Sequence, residues 1–415
     1  MAGNRASSEQ RGPLSGLRVV ELASAPACFA GKLMAIYGAE VIVVEPPGGH
    51  ETRRWAPFAG DIEDPERSLW WWHYNTNKLS VTLDLDDADD ADDAETLRSL
   101  MASADIVLEA EAPGALAAKS LDYPDLRPRH PALIWVSVTP FGRSGPRAGE
   151  VATDLTVLAG GGPVWSCGYD DHSMPPVRGG GNQGYQTGSI FATMAALTAV
   201  LNRGATGVGQ FVDVSLHAAV NVTTEAATYE YLVAQRTVQR QTGRHASVRM
   251  TTSSFAEAAD GRTVHSGVPP RSAAEFQRLL DWMAEEGVLE HYPEAFFLEM
   301  GVTRGGVHLS EINTDPEAQA IFHAGREGIR FMAERSAAYE FFVGAQSHGI
   351  AATVVYSPEE VLSDPHFVAR GFPVEVDHDD IGATYTYLGL PFICNGSVSQ
   401  LRRAPRIGEH NHLLG

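Results

Sequence analysis

Cysteine, positive charge and long apolar runs are all scarce in this sequence of 415 residues. The three cysteines, Cys28, Cys167 and Cys394, lie far apart and fit neither a disulfide framework nor a zinc spacing. That usage suits a reducing cytoplasm. Lys and Arg number 31 against 52 Asp and Glu, a formal net charge of −21. Such a chain has no basic surface to match the phosphates of a nucleic acid, so that partner class is excluded. An anionic small ligand needs only a local positive patch and stays open. No apolar run approaches membrane-span length, and the opening MAGNRASSEQRGPLSG lacks an apolar signal core. The expectation is a cytoplasmic protein with no membrane and no nucleic-acid partner.

What is present is an ordinary globular composition, 44% hydrophobic and 20% charged, in a chain long enough for two domains. Residues 1–13 read as a disordered lead. From Leu14, LRVVEL reads as a strand, APACFAGKLMAIYG as a helix ending at Gly38, and AEVIVVE as a second strand. This is a βαβ unit of a parallel sheet, with ligands expected at the carboxyl ends of its strands. The first loop, Ala23 to Pro26, has no G-x-G-x-x-G, so the usual dinucleotide fingerprint is absent. In the next loop, PPGGHETRR, Arg53 and Arg54 either meet phosphate or are simply solvated. SLWWWHYNTNKLSVTLD reads as an aromatic cluster and an alternating strand. Three consecutive tryptophans cannot all face one core, which favours an interface over a pocket. The acidic run Asp84–Glu95 leads into a helix, where carboxylates suit the dipole.

ADIVLEA and ALIWVSVTPFG add two strands, with a helix expected over PGALAAKSL. The fold class is therefore α/β, with an alternating part over 14–225, a smaller α+β domain with its linkers over 226–340, and a helix–strand–helix return with a β-rich tail over 341–415. The stretch from Arg178 to His217 organises the chain: a glycine-rich loop, a helix over Ile190–Leu201 apolar nearly all round, then a turn and a strand. A helix of that pattern is expected to be buried. Cys167 reads as a small buried residue, His172 as exposed, and His410 and His412 lack the further ligands a metal requires.

Several stretches, in order, resemble the family III CoA-transferases, the CaiB/BaiF group of formyl-CoA transferase, carnitine CoA-transferase and α-methylacyl-CoA racemase. They are LSGLRVVELASAP, GAEVIVVEPPGG, NTNKLSVTLDL, ADIVLEAEAPGAL, TGVGQFVDVSLHAAV, SPEEVLSDPHFVARGF and APRIGEH. The resemblance implies a large Rossmann-like domain built from both chain ends (14–225 and 341–415), an inserted small domain and two subunits interlocked as rings. It also implies a chemistry: an aspartate at the start of the central helix attacks an acyl-CoA thioester, and CoA passes through the enzyme to a carboxylic acid. Glycine-loop N–H groups stabilise the oxyanion. Coenzyme A is then a substrate, and no metal is implied.

This chain departs from the pattern at that aspartate. Matching Thr187-Gly188 puts the position at Gly184; counting back from TGVGQ puts it at Tyr185. Thr153 stands where racemases carry a histidine, and Ala110, Glu111 and Ala118 stand where an Asn, an aromatic and an Arg are frequent, with Lys119 adjacent. The candidate catalytic residues are Tyr185, Gln183, Asp154 and Glu150. The candidate CoA-binding residues are Ser24, Ala25, Pro26, Arg53, Lys119 and Gly184. Three functions follow: a CoA-transferase whose carboxylate comes from Asp154 or Glu150; a nucleophile-lacking subunit paired with a homologous partner; or an isomerase or lyase around Asn182, Gln183, Tyr185 and Gln186. Homodimer and heterodimer both remain open.

Overall fold

The computed structural model describes residues 12–85, 91–312, 314–394 and 400–414. Most of the lead expected over 1–13, and the middle of the acidic run, lie outside the described residues. The chain divides into two compact units: Met1–Cys167, Val177–Gln235 and Leu362–Gly415 in one, Gly168–Pro176 and Arg236–Val361 in the other.

Strands and helices alternate through the first unit. They are β1 (Arg18–Leu22), α1 (Cys28–Ile36), β2 (Glu40–Glu45), α2 (Leu69–Tyr74), β3 (Leu79–Thr82), α3 (Ala91–Ala102) and β4 (Ile106–Glu109). After these come α4 (Tyr123–Leu126), β5 (Ile134–Thr139), α5 (Asp154–Gly161), α6 (Gln183–Thr206), β6 (Phe211–Ser215), α7 (Leu216–Val222) and α8 (Glu225–Ala234). The six strands form one parallel sheet in the order β3-β2-β1-β4-β5-β6, with Val20 level with Ile42 and Val107 on its two sides. Val and Ile runs such as VIVV fit because both faces are covered. On one face Val19, Val41, Ile106 and Val136 pack with α1 and α6. On the other, Val20, Ile42, Val107 and Trp135 pack with α3. The strand order reverses between β1 and β4, which opens a crevice at their carboxyl ends.

Between β4 and β5 the helix expected over PGALAAKSL is only a 3-10 turn, Ala117–Lys119. Gly114 (φ 91°) and Ser120 (φ 54°) take left-handed backbone on either side and stop it. The tryptophan run is helix α2, capped by Ser68 Oγ, which accepts Trp71 N–H at 3.3 Å. Trp71 (2% exposed) and Trp72 (5%) are both core residues. Their indoles escape the one-face limit by packing on different partners, Trp71 under Arg53 and Trp72 against His378 and Tyr385. That corrects the interface expectation for two of the three.

The NTNK segment works as a staple. Lys78 Nζ donates to Glu21 Oε1 (2.8 Å), Asn75 Oδ1 (2.9 Å) and the Cys28 carbonyl (2.8 Å), all buried. Asn77 exchanges side-chain bonds with the Gln400 carbonyl and Arg402 N–H. The terminal APRIGEHN continues this. Pro405 O accepts from Arg53 and Trp71, Ser80 exchanges bonds with His410, and Asn411 reaches Thr82. The outer edge of β3 is thereby covered by chain from the far end of the sequence. An antiparallel hairpin, Pro373–His378 with Ala383–Leu388, precedes this segment.

The second unit has a small antiparallel sheet of β7 (Phe255–Glu257), β8 (Thr263–His265) and β9 (Thr353–Val354), with helices α9 (Ala273–Glu285), α10 (Ala295–Arg304), α11 (Pro316–Ala333) and α12 (Ala338–Ser347). Phe276, Leu279, Trp282, Ile321 and Phe341 fill its core. Ser272 and Glu275 form a capping box that starts α9.

The helix expected to be buried over 190–201 is α6, and only its alanine stripe, Ala192, Ala196 and Ala199, is covered. Ile190, Met194 and Leu201 are 52%, 54% and 77% exposed. Met194 also lines a groove of about 690 Å³ with Phe191, Phe211, Ala219 and Val222, beside the outer strand β6. Cys167, expected to be buried, is exposed and a free thiol.

Candidate functional site

Residues that sequence placed in a glycine loop begin a helix instead. Gln183, Gly184 and Tyr185 form the first turn of α6, whose N-cap Asn182 makes no side-chain cap bond. The cap comes from elsewhere: Asp154 Oδ1 accepts Tyr185 N–H at 2.9 Å. Asp154 is itself placed by Thr153, which starts α5 through a capping box with Thr156. Its carboxylate is nearly enclosed; Oδ2 lies 3.5 Å from Arg178 Nη1 and has no hydrogen-bond partner. Arg178 also ties the glycine run together by donating to the carbonyls of Gly179 (3.1 Å) and Gly181 (2.5 Å). A negative group at a long helix's N-terminus is electrostatically favourable.

Gly184 and Gly188 serve close packing rather than loop freedom. A Cβ on Gly184 would lie 3.0 Å from Asp154 Oδ1 and 3.2 Å from Leu158 Cγ. One on Gly188 would lie 2.1 Å from Leu216 Cδ2. A side chain at 184 would therefore need Asp154 and Leu158 to give by a few tenths of an ångström, and of the two matching positions 185 is the one that carries a side chain. There stands Tyr185, half-buried, its phenol raised above the ordinary tyrosine pKa by burial and then by the Asp154 charge. Gln186 Nε2 donates to Tyr74 Oη at 2.9 Å, and Ser189 Oγ donates to the Pro26 carbonyl at 2.9 Å. These bonds join the α6 terminus to α2 and to the β1–α1 loop. Gln183 folds back over Gly179, its amide 2.5 Å from where a Cβ on that glycine would sit.

The remaining candidates divide. Ser24, Ala25 and Pro26 lie in the β1–α1 loop beside α6; Ser24 Oγ is buried without a hydrogen-bond partner, and the Ala25 carbonyl accepts from Cys28 Sγ at 3.2 Å. Glu150 is not brought to the α6 terminus. It sits in the exposed loop before α5, ion-paired with Arg147 at 2.7 Å. Arg53 is a correction. It is fully buried, with Nε and Nη2 on Glu45 (2.7 and 2.8 Å), Nη1 on Glu66 (2.9 Å) and Nη2 also on Pro405 O. No face of that guanidinium is left for a phosphate. Lys119 lies at the mouth of the β1/β4 crevice and donates to the Leu85 carbonyl.

Sequence reasoning passed over Arg178 and Tyr74. Arg178 had one available signal, a cation directly before a glycine run, while Tyr74 had none, because only folding brings α2 to α6. Among the described residues, no group of three His, Cys, Asp or Glu side chains is placed to hold a metal, and no helix is long and apolar enough to cross a membrane.

The fold that carries this site is shared with solved proteins. A CAIB/BAIF family protein from Brucella suis superposes with a TM-score of 0.77 at 24% identity, over 98% of this chain and 99% of that one. The family model for CoA-transferase family III matches residues 14–411, and the chain belongs to that family. It is 31% identical over 397 residues to the succinyl-CoA:(R)-benzylsuccinate CoA-transferase subunit BbsE of Thauera aromatica, covering 95% of this chain and 92% of that one. It is 29% identical over 408 residues to the succinyl-CoA–D-citramalate CoA-transferase of Chloroflexus aurantiacus, covering 96% and 92%.

Proposed function

We propose that this chain takes part in CoA transfer between carboxylic acids, acting on an acyl-CoA thioester, as a subunit that lacks its own nucleophile and pairs with a homologous subunit that has one. One observation carries the reading: Gly184 has no side chain and packs tightly on Asp154, and Tyr185 stands at the other matching position, so neither supplies a carboxylate. The transfer needs a group that attacks the thioester carbonyl when ionised and later leaves as an anion, which suits a carboxylate. A phenol held above its usual pKa is protonated at neutral pH and does neither. Two further observations support it. The Thauera relative is named as a subunit. The apolar groove between α6 and β6 also offers a homologous chain a surface of the kind that interfaces use. The free thiols fit work in the cytoplasm.

The test is to copurify the chain with its homologous subunit, incubate with acyl-CoA and hydroxylamine, and weigh both intact chains. The expected result is a hydroxamate on the partner alone. An adduct on this chain would overturn the reading. A second reading is favoured by Asp154 Oδ2, which accepts no hydrogen bond and lies 3.5 Å from the Arg178 guanidinium, and it makes Asp154 the acyl carrier. In that case the adduct maps to Asp154 and disappears in Asp154→Asn.

A further inference from the structure

We propose that Arg240, in the second unit, is the receptor for an oxyanion, a carboxylate or phosphate group of a ligand that supplies the counter-charge the fold leaves out. This holds whichever subunit carries the acyl group. Residues 237–255, TVQRQTGRHASVRMTTSSF, hold three arginines and a histidine and no carboxylate, in a chain whose formal net charge is −21. Gln241, 3% exposed, ties this segment together. Its Nε2 donates to the Arg249 carbonyl at 2.8 Å, and its Oε1 accepts from Arg244 Nε at 2.8 Å and Thr251 N–H at 2.7 Å. Arg244 is neutralised by Asp170 at 3.0 Å. Arg240 is different. It is 8% exposed, and among the described residues no carboxylate lies within ion-pair distance of it.

The two acids on the facing loop are engaged elsewhere. Asp170 accepts from Arg244 and, at 3.1 Å, from Thr242 N–H. Asp171 Oδ1 accepts from Ser173 N–H at 2.9 Å and from its hydroxyl at 2.6 Å. What Arg240 meets is a pair of carbonyls, its Nη2 donating to His172 O at 3.3 Å and Met174 O at 2.9 Å. Carbonyls satisfy donors but carry no net charge, and a buried ion without a counter-charge is costly. Nε has no hydrogen-bond partner and is sealed from solvent; Nη1 also donates to nothing in the chain and is not sealed. Nη1 is therefore the open corner of the fork, and a guanidinium takes a carboxylate or a phosphate through paired N–H groups of this kind. The stem is already in place, because it packs on Gly168, where a Cβ would lie 2.8 Å from Arg240 Cδ. Arg326 donates to the Thr252 carbonyl at 2.8 Å and is held below the ordinary arginine pKa chiefly by burial, with the charges of Arg330 and Arg244 adding to it. Positive charge thus gathers around the segment.

The experiment compares thermal unfolding of the full chain in sodium acetate, sodium phosphate and sodium chloride at matched ionic strength, for wild type, Arg240→Met and Arg240→Lys. Anions such as phosphate strengthen burial in any protein, so the readout is the difference between wild type and variant. The expected result is an extra, saturating rise in Tm of the wild type with acetate, phosphate or both, absent from Arg240→Met. In Arg240→Lys, which keeps the charge and loses the fork, the apparent affinity should be about tenfold weaker. A rise with acetate alone supports the receptor and assigns it to a free carboxylic acid; one with phosphate alone supports it and assigns it to a phosphate-bearing ligand such as CoA. An equal rise in wild type and Arg240→Met, or none in either, overturns the proposal. Should Arg240→Met fail to fold, a wild-type crystal soaked in selenate decides. An anomalous peak within hydrogen-bond distance of Arg240 Nη1 supports the receptor, and no peak there overturns it.

Discussion

Tyr185 and Gly184 are adjacent in sequence and opposite in consequence. Tyr185→Asp puts a carboxylate at the matching position that already carries a side chain. In the copurified pair it is expected to add an acyl-CoA-dependent hydroxamate to this chain, read by intact mass. Gly184→Asp is expected to add none and to lower Tm, because the new carboxylate would contact that of Asp154. Asp154→Ala removes the bond to Tyr185 N–H and should destabilise the first unit by about 1–2 kcal/mol, measurable by urea unfolding. The absence of an aspartate was legible by counting residues. Choosing between 184 and 185 was not, because it turns on which way a Cβ faces in a helix whose start the sequence placed as loop. Arg53 was misplaced for a related reason: its partners Glu45, Glu66 and Pro405 are spread along the sequence and only folding gathers them.

Elements were legible where a pattern states its own environment. VVEL and VIVV could only be strands covered on both faces, and they are. Patterns that name no partner were harder. The apolar surface of α6 announces that something covers it, while half of that surface is bare in the single chain. Close contact between α6 and α7 depends on Gly188, so Gly188→Val is expected to separate them and lower Tm, whereas a change at exposed Gly204, where a Cβ meets nothing, leaves it unchanged. Truncation before residue 402 tests the staple. Losing the bonds of Arg402, Pro405, His410 and Asn411 should bare β3 and produce aggregation visible by light scattering.

At the scale of the molecule, buried groups pull the acid side of the stability profile in opposite directions, because burial holds His73 at about 3, so its contribution is lost as pH falls below the ordinary histidine range. Burial raises Glu21 to about 7 despite the Lys78 ammonium, so the folded state holds that proton more tightly than the unfolded chain. Its contribution is present below the ordinary carboxylate range and is lost as pH rises to about 7. Lys32 is lowered to about 8 by burial and by the Lys78 charge, so stability returns as pH rises from there toward the ordinary lysine range. Urea midpoints should show the Glu21 part as a difference: the midpoint of Glu21→Gln relative to wild type is expected to rise as pH goes from the ordinary carboxylate range to about 7. Glu409, held near 2 chiefly by Arg403, acts oppositely and is lost only in strong acid. The staple has one more consequence, which concerns time. Synthesis runs from the amino end, so β1 to β6 emerge first and the second unit follows. The edge of β3 then waits bare until residues 402–411 have left the ribosome. That interval is when an unpaired strand edge is open to pairing with another chain, so the pace of translation bears on whether the sheet closes correctly.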